Sequence, residues 1–234
     1  MKKTLIVFTL LILGVAGARA DLQKGSQSAS VFFGGAGSNS ELDLGGSGKG
    51  NDMIGHGGGA LGASYLYYVR NEPLVGVGLD FNASKLDTDH SRDLFPGNDS
   101  NTYAHSAIVM AIARLAYPRG KLRPYIQGGL GFDSTYIHMD SQPQSGRTWS
   151  DTGTTENRTL FDDRSTTLAL GWAVGMEAYL TEHFFLGLEY RNTYFGAQQS
   201  PTAAGRAQGL HDINDGWQIS DILFRLGWTW GASK

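Results

Sequence analysis

The sequence predicts an all-β chain: an eight-stranded antiparallel up-and-down transmembrane β-barrel. Three observations predict it. Apolar residues recur at every second position in eight separate stretches. The face opposite each apolar row carries glycine, small residues and full charges, where a soluble sandwich would carry a bulky dry face. The connections between stretches alternate between long and polar and short and tight.

The clearest pair of stretches runs from Thr166 to Phe195. Leu168, Leu170, Trp172, Val174, Met176, Ala178 and Leu180 share one face, with Gly171, Gly175 and Glu177 on the other. After Thr181-Glu182-His183 the alternation resumes. Phe184, Leu186, Leu188, Tyr190 and Tyr194 fall together, opposite Gly187, Glu189, Arg191 and Thr193. A period of two with one continuous apolar face is a strand with that face against an apolar medium. A narrow closed tube would hold the small and charged residues inside.

The chain opens with Lys2 and Lys3, an apolar run from Thr4 to Val15, and the small-x-small triplet Ala18-Arg19-Ala20. This reads as an export signal over residues 1–20, with the mature domain over 21–234. The run is too short for a spanning helix of about 20 residues. Loss of Lys2, Lys3 and Arg19 takes the formal charge from -3 to -6, which disfavours nucleic acid as a partner. The chain has no cysteine, which excludes disulfides and thiol chemistry. Its 33 glycines alternate with Leu, Val and aromatic residues, as strands crowding a narrow lumen require.

In chain order, Ala29 to Gly37 is the first strand, with Val31 and Phe33 toward lipid. Ser38 to Gly55 is a polar loop. Its Gly-Ser-Gly-Lys-Gly piece is not a phosphate loop, because Gly50 follows the lysine where Ser or Thr belongs. His56 to Arg70 and Leu74 to Lys85 form a hairpin across Arg70-Asn71-Glu72-Pro73. Val75, Val77, Leu79 and Phe81 point outward there, and Asp80 and Asn82 inward. Leu86 to Thr102 is a second loop. Tyr103 to Tyr117 alternates weakly; Arg114 sets its parity, since a cation facing lipid at mid-depth costs about 2–4 kcal/mol. Pro124 to Ile137 follows a turn over Pro118 to Arg123 and turns Asp133 inward. His138 to Arg164 reads as the longest polar loop and Ala197 to Gly216 as the fourth. Trp217 to Trp230 closes the set, with Asp221 and Arg225 inward.

Long connections after odd strands and short turns after even ones match a bacterial outer-membrane barrel, with long loops outside and both ends in the periplasm. Tyr117, Tyr190, Tyr194, Trp217, Trp228 and Trp230 read as an interfacial aromatic girdle. Closure leaves no backbone edge in lipid.

Pro124-Tyr125-Ile126-Gln127-Gly128-Gly129-Leu130-Gly131, Gly187-Leu188-Glu189-Tyr190-Arg191 and Arg225-Leu226-Gly227-Trp228-Thr229-Trp230 resemble strands of small outer-membrane barrels of the OmpA/OmpX/opacity-protein type. The last resembles the terminal signal read by the barrel-assembly machinery, with Trp230 in the place of the usual terminal Phe and four residues after it. The resemblance implies an eight-stranded barrel in outer-membrane lipid and lipopolysaccharide. Family members anchor, adhere, recognise host or phage, or pass small solutes.

Asp80, Arg114, Asp133, Glu177, Glu189, Arg191, Asp221 and Arg225 all point inward and read as a salt-bridged plug; a narrow ion or solute path gated by the same pairs is the alternative. Glu177 and Glu189 could pose as an acid/base couple, but nearby arginines favour a structural network. Histidines 56, 90, 105, 138, 183 and 211 are scattered, and no His-x-Ser of a lipid hydrolase occurs. The spacing Asp87-x-Asp89-x-Ser91-x-Asp93 starts like a calcium loop without its Gly or Glu. Asn82-Ala-Ser84 and Asn98-Asp-Ser100 match a glycosylation pattern by chance. No catalytic residue, cofactor or metal is assigned. The expected role is structural or surface-recognition, through four extracellular loops that could meet an extracellular ligand. A narrow porin-like channel comes second and a lipid-modifying enzyme third.

Overall fold

A computed structural model of the chain describes residues 22–38, 57–88 and 98–231. The leader, the Gly-Ser-Gly-Lys-Gly piece, and most of the Asp87 to Asp93 spacing lie outside them. Eight strands follow one another: β1 (Gln27–Ser38), β2 (Gly57–Arg70), β3 (Leu74–Thr88), β4 (Asn98–Ala116), β5 (Leu122–Pro143), β6 (Arg158–Tyr179), β7 (Phe184–Gln199) and β8 (Ile213–Trp230). Among the described residues one short helix, α1 (Ala203–Ala207), precedes β8. Each strand pairs antiparallel with the next, and β8 pairs back to β1, so the sheet closes into a barrel. Phe33 stands beside Leu61 on β2 and Phe224 on β8, an apolar row that crosses the closing seam.

The parity read from the sequence holds on every strand. Val31, Leu61, Leu79, Phe132, Leu168, Leu188 and Ile222 are exposed on the outer face. On β4, Arg114, Ile112, Met110 and Ile108 are buried inside, so the side that Arg114 marks is the inner one. Inward glycines seat inward aromatics. A Cβ on Gly62 would run into the Phe32 ring, and one on Gly227 into the Phe185 ring. At the end where the termini meet, Phe185 packs with Tyr68, Leu74, Tyr125 and Tyr179 in an apolar stopper.

The strands outrun their expected lengths at the other end. The stretch from His138 to Arg164 is not one long loop: β5 continues to Pro143 and β6 begins at Arg158, leaving residues 144–157 as the connection. β4 likewise starts at Asn98, β7 runs to Gln199 and β8 starts at Ile213. Above the lipid both faces of a strand can be polar, so hydropathy no longer marks it. Tyr136, His138 and Asp140 face out while Thr135, Ile137 and Met139 face in, an alternation of position without one of polarity. Inside this extension Met139, Trp149, Leu160, Phe161, Leu210 and Ile213 form an apolar core that caps the barrel. Thr202 caps α1 by accepting from the Gly205 N–H and donates its own hydroxyl to Thr159 O at 2.7 Å, tying the last connection to β6.

One seam differs from the others. β6 and β7 pair along their backbones only as far as Ala169 and Phe195. Beyond that, side chains of β6 take over. Thr167 Oγ1 donates to Gly196 O at 2.6 Å, Gln199 Nε2 donates to Ser165 Oγ at 2.9 Å, and Ser200 N donates to Asp163 Oδ2 at 2.7 Å.

Candidate functional site: the charged lumen

Alternation delivers one charge after another to the barrel axis. β3 contributes Asp80, β4 Arg114, β6 Glu177, β7 Glu189 and Arg191, and β8 Asp221 and Arg225, all essentially without solvent exposure. Glu189 is the hub. Its Oε2 accepts from Arg225 Nη1 and from Tyr125 OH, each at 2.6 Å, and its Oε1 accepts from Arg191 Nη2 at 2.8 Å. Arg191 then crosses the lumen to Asp80 as a bidentate pair, at 2.7 and 2.9 Å. Arg225 reaches Ser30 Oγ at 2.6 Å on the adjoining strand β1. Arg114 binds Glu177 at 2.5 Å and Gln127 Oε1 at 2.9 and 3.0 Å, and comes within 3.9 Å of Glu189.

Phe32 fills the middle. The guanidinium of Arg191 lies 4.7 Å from its ring centroid and that of Arg225 5.2 Å. Arg114 lies over the Tyr125 ring at 3.9 Å. Buried ions persist only when paired and hydrogen-bonded. Glu177 and Glu189 are both held by arginine, an arrangement that fills space rather than one that leaves a carboxylate free to move a proton.

One of the eight expected members stands apart from the hub: Asp133 accepts from Ser106 and Thr135 higher in the barrel. Asp221 lies opposite Arg191 across the β7–β8 ladder and accepts from Asn82 Nδ2 at 3.0 Å. One member went unread. Arg123, assigned to a turn in the sequence, belongs to β5; it is buried, lies over the Tyr179 ring at 4.5 Å and donates from Nε to Gly120 O at 3.3 Å. It shares the parity of Tyr125 and Gln127, the one signal that could have found it. With Arg123 the lumen near the hub holds four arginines, 114, 123, 191 and 225, against the four acids Asp80, Glu177, Glu189 and Asp221.

The aromatic set divides. Tyr117, Tyr194, Trp228 and Trp230 stand on the outer face toward the strand ends. Tyr190 is also outside, but between Val174 and Ile222 within the apolar belt, edge-on to Trp172. Trp217 does not belong to a girdle. It is buried inside, 5.5 Å from the Phe195 ring, and donates to Ser38 Oγ. It stands four positions before Asp221 and eight before Arg225, so the strand must turn it the same way.

A closed eight-stranded barrel with an apolar exterior and an ion-paired lumen is an integral membrane barrel. The chain belongs to the outer membrane protein beta-barrel domain family, whose pattern matches residues 6–228. Among curated proteins no match is found. Among solved structures it is similar to the outer membrane protein OprG from Pseudomonas aeruginosa, at 13% identity and a TM-score of 0.51, over 90% of this chain and 98% of that one. It is also similar to Neisserial surface protein A, at 12% identity and a TM-score of 0.45, over 91% and 99%. A further similarity is to Ail, the attachment invasion locus protein of Yersinia pestis, at 14% and 0.40, over 88% and 99%. These likenesses concern the fold.

Proposed function

We propose that this outer-membrane protein is a closed, non-catalytic anchor that presents a preorganised extracellular surface to a partner. The observation that carries the reading is the cap. The β5–β6 hairpin and α1 continue the barrel past its lipid-facing belt around Met139, Trp149, Leu160, Phe161, Leu210 and Ile213, an apolar core continuous with the one inside the barrel. A surface built on such a core keeps its shape without a ligand, which lowers the ordering cost of binding. The plugged lumen favours an anchor over a solute path, since Phe32 and the Glu189 hub occupy the axis. Export by a leader over residues 1–20, insertion by the barrel-assembly machinery and contact with lipopolysaccharide belong to the same reading.

The test joins two measurements. In planar bilayers the purified protein should show no discrete openings; steps that disappear in Arg191→Gln would replace the anchor by a channel. On intact cells, partners crosslinked to the native protein should be lost when residues 144–157 are shortened to a four-residue turn. That trimming spares 138–143 and 158–164, which are barrel wall. Unchanged crosslinking would remove the hairpin tip from the recognition surface.

A further inference from the structure

Just above the apolar belt, four neighbouring strands place one outward residue each in a single row. Lys85 pairs with His105, His105 with Tyr136, and Tyr136 with Arg164. The belt residues Phe81, Val109, Phe132 and Leu168 lie two rows below, in the same register. At about 3.4 Å per residue and a tilt near 40°, the two rows differ by about 10 Å along the membrane normal. The row between them is small: Ala83, Ala107, Ser134. These residues floor a groove of about 870 Å³ whose upper rim is Lys85, His105, Tyr136 and Arg164. Leu61, Phe33 and Phe224 continue it sideways along the wall.

Charge is sorted across this face. The cations sit on the lipid side, each beside a ring: Lys85 Nζ is 5.9 Å from the Tyr103 centroid and the Arg164 guanidinium 5.8 Å from that of Tyr136. Tyr103 stacks on His138 at 4.9 Å, which stiffens the platform. Asp162 and Asp140 sit one and two rows farther out and are occupied: Asp162 accepts from Tyr136 OH, and Asp140 lies 3.1 Å from His138 Nε2. Two cations on the rim of an apolar groove, three strands apart, with the carboxylates of Asp162 and Asp140 held beyond them, are complementary to a molecule that is anionic at its head and apolar below. Arginine and lysine are the residues that take phosphate oxygens, and a long basic side chain reaches headgroup level from a wall position.

We propose that this face of β3 to β6 binds one phosphorylated glycolipid of the outer leaflet, with its phosphate between Lys85 and Arg164 and an acyl chain in the groove over Ala83 and Ala107. The inference requires a membrane-spanning barrel with its long connections outward. It does not require that the loops recognise a partner, and either idea can fail alone.

Native mass spectrometry of the folded protein in detergent tests it, with bisphosphorylated lipid A and its phosphate-free counterpart as probes. One bisphosphorylated lipid should stay on each chain, and the phosphate-free lipid should be retained at least tenfold less. Lys85→Gln with Arg164→Gln should bring the phosphorylated lipid down to that same level, Lys85→Arg with Arg164→Lys should restore it, and Arg119→Gln at the opposite end should leave it unchanged. Equal retention of the two lipids by the native protein overturns the proposal without any variant. So does undiminished retention by a Lys85→Gln/Arg164→Gln protein that still shows the heat-dependent gel migration of a folded barrel.

Discussion

Glu189 accepts from two arginines and a tyrosine and lies 3.9 Å from a third arginine, so its charge is shared by a whole cluster. Breaking one side of a buried pair leaves uncompensated charge, at a cost of about 3–5 kcal/mol. Glu189→Gln should therefore lower unfolding stability in detergent by that amount, read from urea titration of the folded band. Asp133 Oδ1 accepts from the Ser106 hydroxyl and Oδ2 from that of Thr135; its amide isostere can accept from one hydroxyl and donate to the other, since a hydroxyl can turn to accept. Asp133→Asn should cost about 1 kcal/mol or less. Equal losses in the two variants would show that the hub is no more than a set of separate bonds. At the hairpin tip, Arg158 donates to both oxygens of Asp151 while lying 4.7 Å from the Trp149 ring. The Arg158 hydrogen bonds hold the exposed Asp151 carboxyl below its ordinary range. A depressed folded value means the contribution is present above the ordinary value of 3.8 and is lost as the pH falls through the lower folded one. The Trp149 indole N–H, bonded to Glu156 O, should keep its NMR position from pH 7 to 5 and move only below about 3.8. Movement already at pH 6 would assign the tip's order to another group.

At the scale of elements the strands were legible in the sequence where lipid writes the pattern and illegible where it does not. Leu74 to Lys85 and Thr166 to Leu180 alternate apolar with small or charged, because one face meets hydrocarbon and the other a crowded lumen. The outer halves of β5 and β6 meet water and a protein core, so Tyr136, His138 and Asp140 read as loop although they are strand. Arg123 was lost for a related reason: it lies at the first turn of β5, where position in the chain suggests a connection and only parity betrays burial. The β6–β7 seam was beyond any sequence signal, since its bonding passes from backbone to side chains midway. That handover has a measurable consequence. The amides of Gly196 and Gln198, which face β6, should exchange with solvent faster than amides at the same height on β4 and β5, which pair fully from Asn98 to Ala116. Asp163→Ala should raise the exchange of Ser200 in particular, by removing its acceptor at 2.7 Å, with a loss of about 0.5–1.5 kcal/mol of local stability. Uniform protection along both seams would mean that the side-chain bonds close this wall as firmly as a ladder does.

For the molecule as a whole, closure and the in–out division are one constraint. A ring of eight strands leaves an interior just wide enough for side chains. Whatever faces inward is then packed without water, and whatever faces outward meets hydrocarbon along the belt. Exchanging the two faces would place Asp80, Arg114, Glu189, Arg191 and Arg225 in lipid, at about 2–4 kcal/mol for each cation at mid-depth. No rearrangement of loops could offset that. The division can be tested without disturbing the lumen, because the chain has no native cysteine. Val77→Cys, Leu170→Cys and Leu188→Cys each put a thiol on the outer face, at positions 42%, 60% and 39% exposed in the isolated barrel. In the assembled membrane all three should resist water-soluble thiol reagents, and all three should react once the barrel is unfolded in denaturant. Gly146→Cys, in the connection between β5 and β6, should react in both states. The same resistance at Gly146 would trace to the reagent and not the bilayer; rapid labelling at Leu170 and Leu188 in the intact membrane would mean that the apolar face does not meet lipid.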